Sequence, residues 1–134
     1  MGYLTRRSLG SVLLAAGLVA GLSGCSGDGG TELDVAAFAA KIDSSETKVI
    51  DVRTASEYAA GHLPGALNID VESGDFAQGI ASLDKGGSYA LYCRSGRRSG
   101  IALDQMKSAG FTKVVHLSGG INAWTSAGRQ LVTG

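Results

Sequence analysis

The chain has 134 residues, of which 44% are hydrophobic and 18% are charged, and this balance excludes a disordered chain and fits a single domain. Its 12 basic and 12 acidic side chains give a formal net charge of zero, which argues against a nucleic-acid-binding protein that works by counterion release. The two cysteines are too few for the disulfide framework of a small secreted domain or for a four-thiolate zinc site.

The first 24 residues have the organisation of a signal peptide. Arg6 and Arg7 form a short basic segment, and an uncharged apolar run follows from Val12 to Leu22. This run is too short for a membrane-spanning helix, which needs about 20 apolar residues, and it is typical of the hydrophobic part of a signal peptide. The paired arginines also resemble, faintly, a twin-arginine export signal, so the export route stays open.

The segment that ends this run, Leu22-Ser23-Gly24-Cys25, resembles the lipobox of bacterial lipoproteins. The resemblance implies cleavage after Gly24 and a diacylglyceryl group on the sulfur of Cys25, and two acyl chains are enough for stable anchoring. We therefore predict an exported protein on the extracytoplasmic face of the bacterial membrane, with residues 25–33 as lipidated cysteine and flexible tether. The alternative is an ordinary signal peptide or an uncleaved anchor. Residues 34–134 are predicted to be the folded domain.

Helices and strands alternate along this domain. Apolar residues at helical spacing predict a helix over residues 34–42, capped by Asp34 or Thr31, and Thr54 and Glu57 have the spacing of a capping box. Helices are predicted at residues 34–42, 54–60, 75–83, 99–109 and 121–127. Strands are predicted from apolar and β-branched runs at residues 48–52, 66–69, 89–92 and 113–117. This alternation is typical of an α/β fold with a largely parallel sheet.

The most informative segment follows the strand at residues 89–92 and reads Cys93-Arg94-Ser95-Gly96-Arg97-Arg98-Ser99. Ligands of parallel α/β sheets bind beyond the carboxyl ends of the strands, where Cys93 is placed. A tight loop there can aim several backbone N–H groups at one point beside the positive end of a helix, and Gly96 permits a positive φ angle. These groups and the three arginines favour the nucleophilic thiolate of Cys93. The alternative is that Cys93 is an inert, buried thiol beside solvated arginines.

Four segments resemble, in order, a single-domain rhodanese, which is a sulfurtransferase. They are Val49-Ile50-Asp51-Val52-Arg53 with Glu57-Tyr58, then Gly61-His62-Leu63-Pro64-Gly65-Ala66-Leu67-Asn68-Ile69, then the cysteine loop, then Gly119-Gly120-Ile121-Asn122-Ala123-Trp124. The resemblance covers nearly the whole domain and implies a rhodanese-like, five-stranded, mostly parallel sheet flanked by helices on both faces.

The resemblance also implies a chemistry for the cysteine loop. Cys93 would take sulfane sulfur from a small anionic donor such as thiosulfate and hold it as a persulfide. The N–H groups of residues 94–99 would cradle the terminal sulfur, and a thiol or cyanide would accept it. No metal or organic cofactor is required. Mercaptopyruvate is a less favoured donor, because family members that use it tend to have a small residue where Arg94 stands.

The length of the loop distinguishes two enzyme classes. Phosphatases and arsenate reductases on related folds use Cys-x5-Arg, in which the arginine clamps a tetrahedral oxyanion. The sixth residue after Cys93 is Ser99, whereas Arg97 and Arg98 are the fourth and fifth, so the loop suits sulfur better than phosphate. Arg94 and Arg98 are candidate contacts for the anionic donor, with solvated charges as the alternative. Ser99 is a candidate cap of the following helix.

Four residues outside the loop are assigned supporting roles. Asp51 and Arg53, at a buried strand end, are expected to form a structural ion pair, and a place at the rim of the site is the alternative for Arg53. His62 is expected to be a hydrogen-bonded turn residue rather than a proton carrier. Trp124 is expected to pack in the core.

A different class of function remains open. The domain could be a non-catalytic rhodanese-like module that binds a partner or senses oxidants through Cys93. A thiol-disulfide exchange protein is disfavoured, because the chain has no Cys-x-x-Cys pair.

Overall fold

The computed structural model describes residues 30–134. Along this part of the chain, strands and helices alternate in the order β1 (Glu32–Leu33), α1 (Val35–Ile42), β2 (Thr47–Asp51), α2 (Ala55–Ala60), β3 (Leu67–Asn68), α3 (Phe76–Ala81), β4 (Ser88–Tyr92), α4 (Arg97–Ser108), β5 (Lys113–Leu117) and α5 (Gly120–Ser126). The predicted signal peptide, Cys25 and most of the predicted tether lie outside the described residues. Within residues 30–134, no helix has the length and apolar character needed to cross a membrane.

The described strands form one five-stranded sheet in the order β1-β5-β4-β2-β3, and every pairing is parallel. β4 lies at the centre and pairs with β2 on one side and with β5 on the other. Because all strands run in the same direction, their carboxyl ends share one edge of the sheet. Cys93 directly follows β4, so it lies at the middle of that edge. The prediction of a five-stranded α/β fold is confirmed.

Helices cover both faces of the sheet, as predicted, and each face has its own apolar core. Side chains of α3 and α4 pack on one face, where the buried residues include Ile50, Leu91, Phe76, Leu103 and Met106. Side chains of α1 and α5 pack on the other face, with Val49, Ala90, Phe38, Ile121 and Trp124 among the buried residues. Neighbouring strand residues such as Val49 and Ile50 alternate between the two cores, as the pleat of a strand requires.

The predicted ends of the elements differ from the observed ends in two places that matter. Glu32 and Leu33, which the sequence analysis assigned to the tether, form β1 at the edge of the sheet. A segment of two residues is too short to show the alternation of a β-strand. It is a strand only because it pairs with β5. The helix predicted to begin at Ser99 begins at Arg97, because Gly96 has a φ of 108° and is the residue that precedes the first helical turn.

The caps predicted for α1 and α2 are confirmed. The carboxylate of Asp34 accepts a hydrogen bond of 2.8 Å from the amide of Ala37 at the start of α1. Thr54 and Glu57 form a reciprocal capping box at the start of α2, as their spacing predicts. These local contacts fix where the helices begin, and they are the part of the fold most directly readable from sequence.

A buried ion pair holds the chain that follows β2. Arg53 Nη2 lies 2.6 Å from Asp51 Oδ2 and also donates to the carbonyl of Gly61 at 2.7 Å. The hydroxyl of Tyr92 donates to the same carboxylate at 2.7 Å and accepts from the amide of Leu63 at 3.0 Å. Burial, reinforced by the charge of Asp51, raises the pKa of Tyr92, so its phenol remains a donor. The expected structural ion pair is confirmed.

We expect Tyr92→Phe to lower the free energy of unfolding by about 2 kcal/mol, because it removes one buried donor from Asp51 and leaves the amide of Leu63 without its acceptor. Tyr89→Phe is the matched control. The hydroxyl of Tyr89 donates only to the carbonyl of Asp84 in a partly buried loop, so we expect a loss of about 1 kcal/mol or less. Urea denaturation measures both values, and equal losses would contradict the account.

Candidate active site

The cysteine loop is attached to the fold by its own carbonyl groups. The amide of Ile121 donates to the carbonyl of Cys93 at 2.9 Å, and the amide of Asn122 donates to the carbonyl of Arg94 at 3.1 Å. Both donors lie in the first turn of α5, where backbone N–H groups have no partner within the helix. The loop therefore uses the free end of α5 as its support, which leaves its own N–H groups available to the sulfur.

The sulfur of Cys93 lies among hydrogen-bond donors. The amide of Gly96 donates to Sγ at 3.0 Å, and Ser99 Oγ lies 3.6 Å from Sγ. The backbone amides of Ser95 and Ser99 also favour the charged form of the sulfur. Burial alone would raise the pKa of the Cys93 thiol, but the hydrogen bonds of Ser99, Gly96 and Ser95 outweigh it, so the pKa lies below its ordinary value. Among residues 30–134, the amide of Gly96 is thus the loop amide with a hydrogen bond to the sulfur, and the cradle for a persulfide sulfur stays a prediction.

Cys93 is almost enclosed, with 1% of its surface exposed, and its neighbours include apolar side chains of the α4 face. The burial agrees with the alternative of an inert thiol, but an inert thiol does not need amide donors aimed at its sulfur. Arg94 and Ser95 are the exposed residues next to it. Little of the sulfur's environment is therefore open to solvent.

Arg98 is not the solvated charge that was one alternative in the sequence analysis, because its guanidinium group is paired. Its guanidinium group binds both carboxylate oxygens of Glu57, at 2.7 and 2.9 Å, and lies 3.8 Å from Glu72. The hydrogen bonds of Arg98 lower the pKa of Glu57 to about 2, so the pair is charged at neutral pH. Arg98 thus ties the start of α4 to α2 beside the cysteine loop.

Arg94 and Arg97 remain available for an anion. Both side chains are exposed, and neither guanidinium group forms a hydrogen bond or salt bridge with any of residues 30–134. They flank Ser95 and Gly96, and the amide of Gly96 donates to the sulfur. Two positive charges at this position favour the approach of a small anion.

Ser99 does not cap α4, because Gly96 precedes the first helical turn. Ser99 is the third residue of the helix and fully buried, and its hydroxyl lies 3.2 Å from the carbonyl of Gly96 and 2.9 Å from Nδ1 of His116. Sequence analysis missed His116 because no motif marks it. The available signal was a titratable residue between the apolar residues Val115 and Leu117 of strand β5, Lys113–Leu117.

His62 and Trp124 have the structural roles expected of them. His62 Nδ1 lies 2.8 Å from the carbonyl of Tyr58, and the two rings stack with their centres 3.7 Å apart. Trp124 packs edge-on against Phe38 in the core, and its Nε1 donates to the carbonyl of Gln130 at 3.0 Å. Neither residue is a hydrogen-bonding partner of the Cys93 sulfur.

Gly120 permits the close approach of α5 to the cysteine loop. Its φ is 57°, and a Cβ at this position would lie 2.5 Å from the carbonyl oxygen of Cys93 and from the carbonyl carbon and oxygen of Arg94. A side chain would overlap backbone atoms, which cannot rotate away. Gly120 is therefore a glycine for steric as well as conformational reasons.

We expect Gly120→Ala to displace the cysteine loop, lower the free energy of unfolding by more than about 2 kcal/mol and raise the pKa of Cys93. Gly128→Ala is the matched control. Gly128 has a φ of 78° with open space around it, so the substitution costs only about 1–2 kcal/mol of backbone strain and leaves the pKa unchanged. Urea denaturation and the pH dependence of Cys93 alkylation measure the two effects. Identical behaviour of the two variants would refute the steric argument.

Several known proteins are similar to this chain in sequence. The family model of the rhodanese-like domain matches residues 34–127. A sulfurtransferase of Allochromatium vinosum is 32% identical over 90 residues, which are 67% of this chain and 82% of that protein. Against several other curated relatives the match covers only 19% to 50% of the relative's length.

Solved structures show the same fold. A rhodanese-related protein from Thermoplasma volcanium has a TM-score of 0.67 at 26% identity, over 75% of this chain and 96% of that one. The thiosulfate sulfurtransferase from Pseudomonas aeruginosa has a TM-score of 0.64 at 25% identity, over 77% of this chain and 19% of that one. The matched segment contains the whole cysteine loop and its supports, and the chain belongs to the rhodanese-like sulfurtransferase family.

Proposed function

We propose that the protein transfers sulfane sulfur from thiosulfate, or a related small anionic donor, to a thiophilic acceptor through a persulfide on Cys93. The observation that carries the proposal is the set of hydrogen bonds to the Cys93 sulfur, which lower the pKa of its thiol despite burial. A thiolate is the nucleophilic form of cysteine.

The first half-reaction forms the persulfide. The Cys93 thiolate attacks the outer sulfur of thiosulfate, a new S–S bond forms, and the S–S bond of the donor breaks. Sulfite leaves with the electron pair of that bond. The transferred sulfur then carries negative charge next to the amides that served the thiolate, those of Ser95, Gly96 and Ser99.

The second half-reaction removes the sulfur. A nucleophilic acceptor, cyanide in an assay or a thiol in the cell, attacks the terminal sulfur of the persulfide. The bond between the two sulfurs breaks, and Cys93 leaves as the thiolate. The same hydrogen bonds that lower the pKa of Cys93 make it a better leaving group, so one set of donors serves both steps.

The surroundings of the loop favour an anionic donor. Arg94 and Arg97 are exposed and unpaired among the described residues, whereas Arg98 is neutralised by Glu57. Two uncompensated charges beside the sulfur attract a dianion such as thiosulfate. The four-residue distance from Cys93 to Arg97 also differs from the Cys-x5-Arg spacing of phosphatases.

The cellular setting of this activity is part of the proposal. The basic segment, the short apolar run and the lipobox resemblance ending at Cys25 support export and lipid anchoring on the extracytoplasmic face of the membrane. The domain would then act on sulfur compounds outside the cytoplasm. This part of the proposal rests on the sequence alone, because these features lie outside the described residues.

Incubation with thiosulfate tests the covalent step. In the full chain carrying Cys25→Ser, Cys93 is the sole thiol, and we expect a mass gain of about 32 Da, one sulfur atom, on the peptide that contains it. Cys93→Ser should abolish thiocyanate formation from thiosulfate and cyanide while leaving the free energy of unfolding nearly unchanged. Turnover near that of the parent chain in Cys93→Ser would show that another group does the chemistry. Oxygen adducts without a sulfur adduct would favour the oxidant-sensing alternative.

Arg94→Gln tests the contact with the donor. We expect the KM for thiosulfate to rise about 5- to 10-fold with little change in kcat, because the charge contributes to binding the anion before and during the reaction. Arg129→Gln is the matched control, since Arg129 is an exposed arginine that lies over the ring of Trp124. Steady-state kinetics with cyanide as acceptor measure both. An unchanged KM in Arg94→Gln would remove this residue from the donor site.

A further inference from the structure

His116 is a buried titratable residue that the proposed reaction does not yet use. It lies on β5 with 8% of its surface exposed, on the face of the sheet that α4 covers. Nδ1 of His116 lies 2.9 Å from Ser99 Oγ, and Ser99 Oγ lies 3.6 Å from Cys93 Sγ. The imidazole is therefore connected to the nucleophile through one hydroxyl group.

The hydroxyl of Ser99 has one proton and three neighbours that can accept it: the sulfur of Cys93, the carbonyl of Gly96 at 3.2 Å and, when it is unprotonated, Nδ1 of His116. If Nδ1 has no proton, the nearest acceptor competes with the sulfur for the hydroxyl proton. If Nδ1 carries its proton, it donates to Ser99 Oγ, and the hydroxyl proton is left for the carbonyl of Gly96 or the sulfur, of which the anionic sulfur is the stronger acceptor. The tautomer of His116 thus decides whether Ser99 stabilises the thiolate.

We propose that His116 is a positioning residue that donates Nδ1–H to Ser99 and thereby directs the Ser99 hydroxyl proton to the anionic sulfur of Cys93. The proposal rests on the proposed function, in which this sulfur is the nucleophile and the carrier. It assigns His116 no contact with the substrate and no transfer of a proton to the solvent. Its effect reaches the sulfur only through Ser99.

The charges around His116 fit a neutral imidazole in this role. Burial lowers the pKa of His116, and the carboxylates of Glu32 on β1 and Asp104 on α4 oppose this effect only in part. A neutral ring carries one proton, which resides on either Nδ1 or Nε2. Within residues 30–134 the hydrogen bond of the ring is made by Nδ1, so that nitrogen is the one whose proton has a defined use.

The test measures the apparent pKa of Cys93 from the pH dependence of iodoacetamide alkylation, in the full chain carrying Cys25→Ser and without any sulfur donor. We expect His116→Leu to raise this pKa by about one unit, since it removes one hydrogen bond that favours the thiolate. His116→Asn should restore most of the shift, because the Asn amide can place an N–H donor where Nδ1 was. Identical pKa values for the Leu and parent chains, or for the Leu and Asn variants, would overturn the proposal.

A double-mutant cycle isolates the route through Ser99. In a Ser99→Ala background, His116→Leu should leave the pKa of Cys93 unchanged, because the connecting hydroxyl is already absent. A full one-unit shift in that background would show that His116 acts on the sulfur by another path. Neither result depends on turnover. If the protein shows this coupling but forms no persulfide, the proposed function is disproved and the role of His116 is not.

The tautomer itself can be observed in the parent chain, which removes any dependence on variant folding. The nitrogen chemical shifts of the two histidines report which ring nitrogen carries the proton. His62 is an internal reference. Its Nδ1 faces the carbonyl of Tyr58, which can only accept a hydrogen bond, so Nδ1 of His62 must carry the ring proton. We expect the same Nδ1–H signature for His116 when Cys93 is a thiolate. An Nε2–H signature under those conditions would overturn the proposal.

Discussion

A thiolate buried away from water is stable only where protein donors replace the hydrogen bonds that it made with water. The rest of the site depends on meeting this condition at Cys93. The residue is 1% exposed, so burial opposes ionisation of its thiol. The amide of Gly96 at 3.0 Å and the contributions of Ser95 and Ser99 reverse that opposition. Backbone amides suit this task, because they are fixed by the fold and carry no counter-charge of their own.

Most of the surrounding architecture serves to keep those amides in place. β4 delivers Cys93 to the centre of the sheet edge, and α4 begins directly after Gly96. The first turn of α5 binds the carbonyls of Cys93 and Arg94, and Gly120 allows the two backbones to touch. The loop is thus held on its carbonyl side by one helix, so that its N–H side can face the sulfur. Rigidity of this kind preorganises a site for developing charge.

The sequence predicted what depends on local chemistry. The capping box of Thr54 and Glu57, the α/β alternation and the position of Cys93 at a strand end follow from residue type and spacing, and the structure agrees. The two-residue strand Glu32–Leu33 was missed because pairing with β5, rather than any pattern of its own, makes it a strand. Long-range pairing of this kind leaves no periodic trace in so short a segment.

Partners that are distant in the chain explain the remaining differences at the site. The ion pair between Arg98 and Glu57 could not be read from the loop, because Glu57 lies on another helix, 41 residues away in the chain. His116 lies in a strand without a motif, and its relation to Cys93 through Ser99 exists only after β5 and α4 pack together. The spacing of residues in the sequence was enough to locate the nucleophile, Cys93. The positions of the charged groups and of the hydroxyl near it depend on tertiary contacts.

The most direct test of the central claim compares the ionisation of Cys93 in the folded and the denatured chain. The ultraviolet absorbance of the thiolate, followed against pH in the chain carrying Cys25→Ser, gives the pKa in each state. The account predicts a lower pKa in the folded protein than in urea, because the amide and hydroxyl donors outweigh burial. An equal or higher pKa in the folded protein would mean that the loop does not stabilise anionic sulfur, and the account would be wrong.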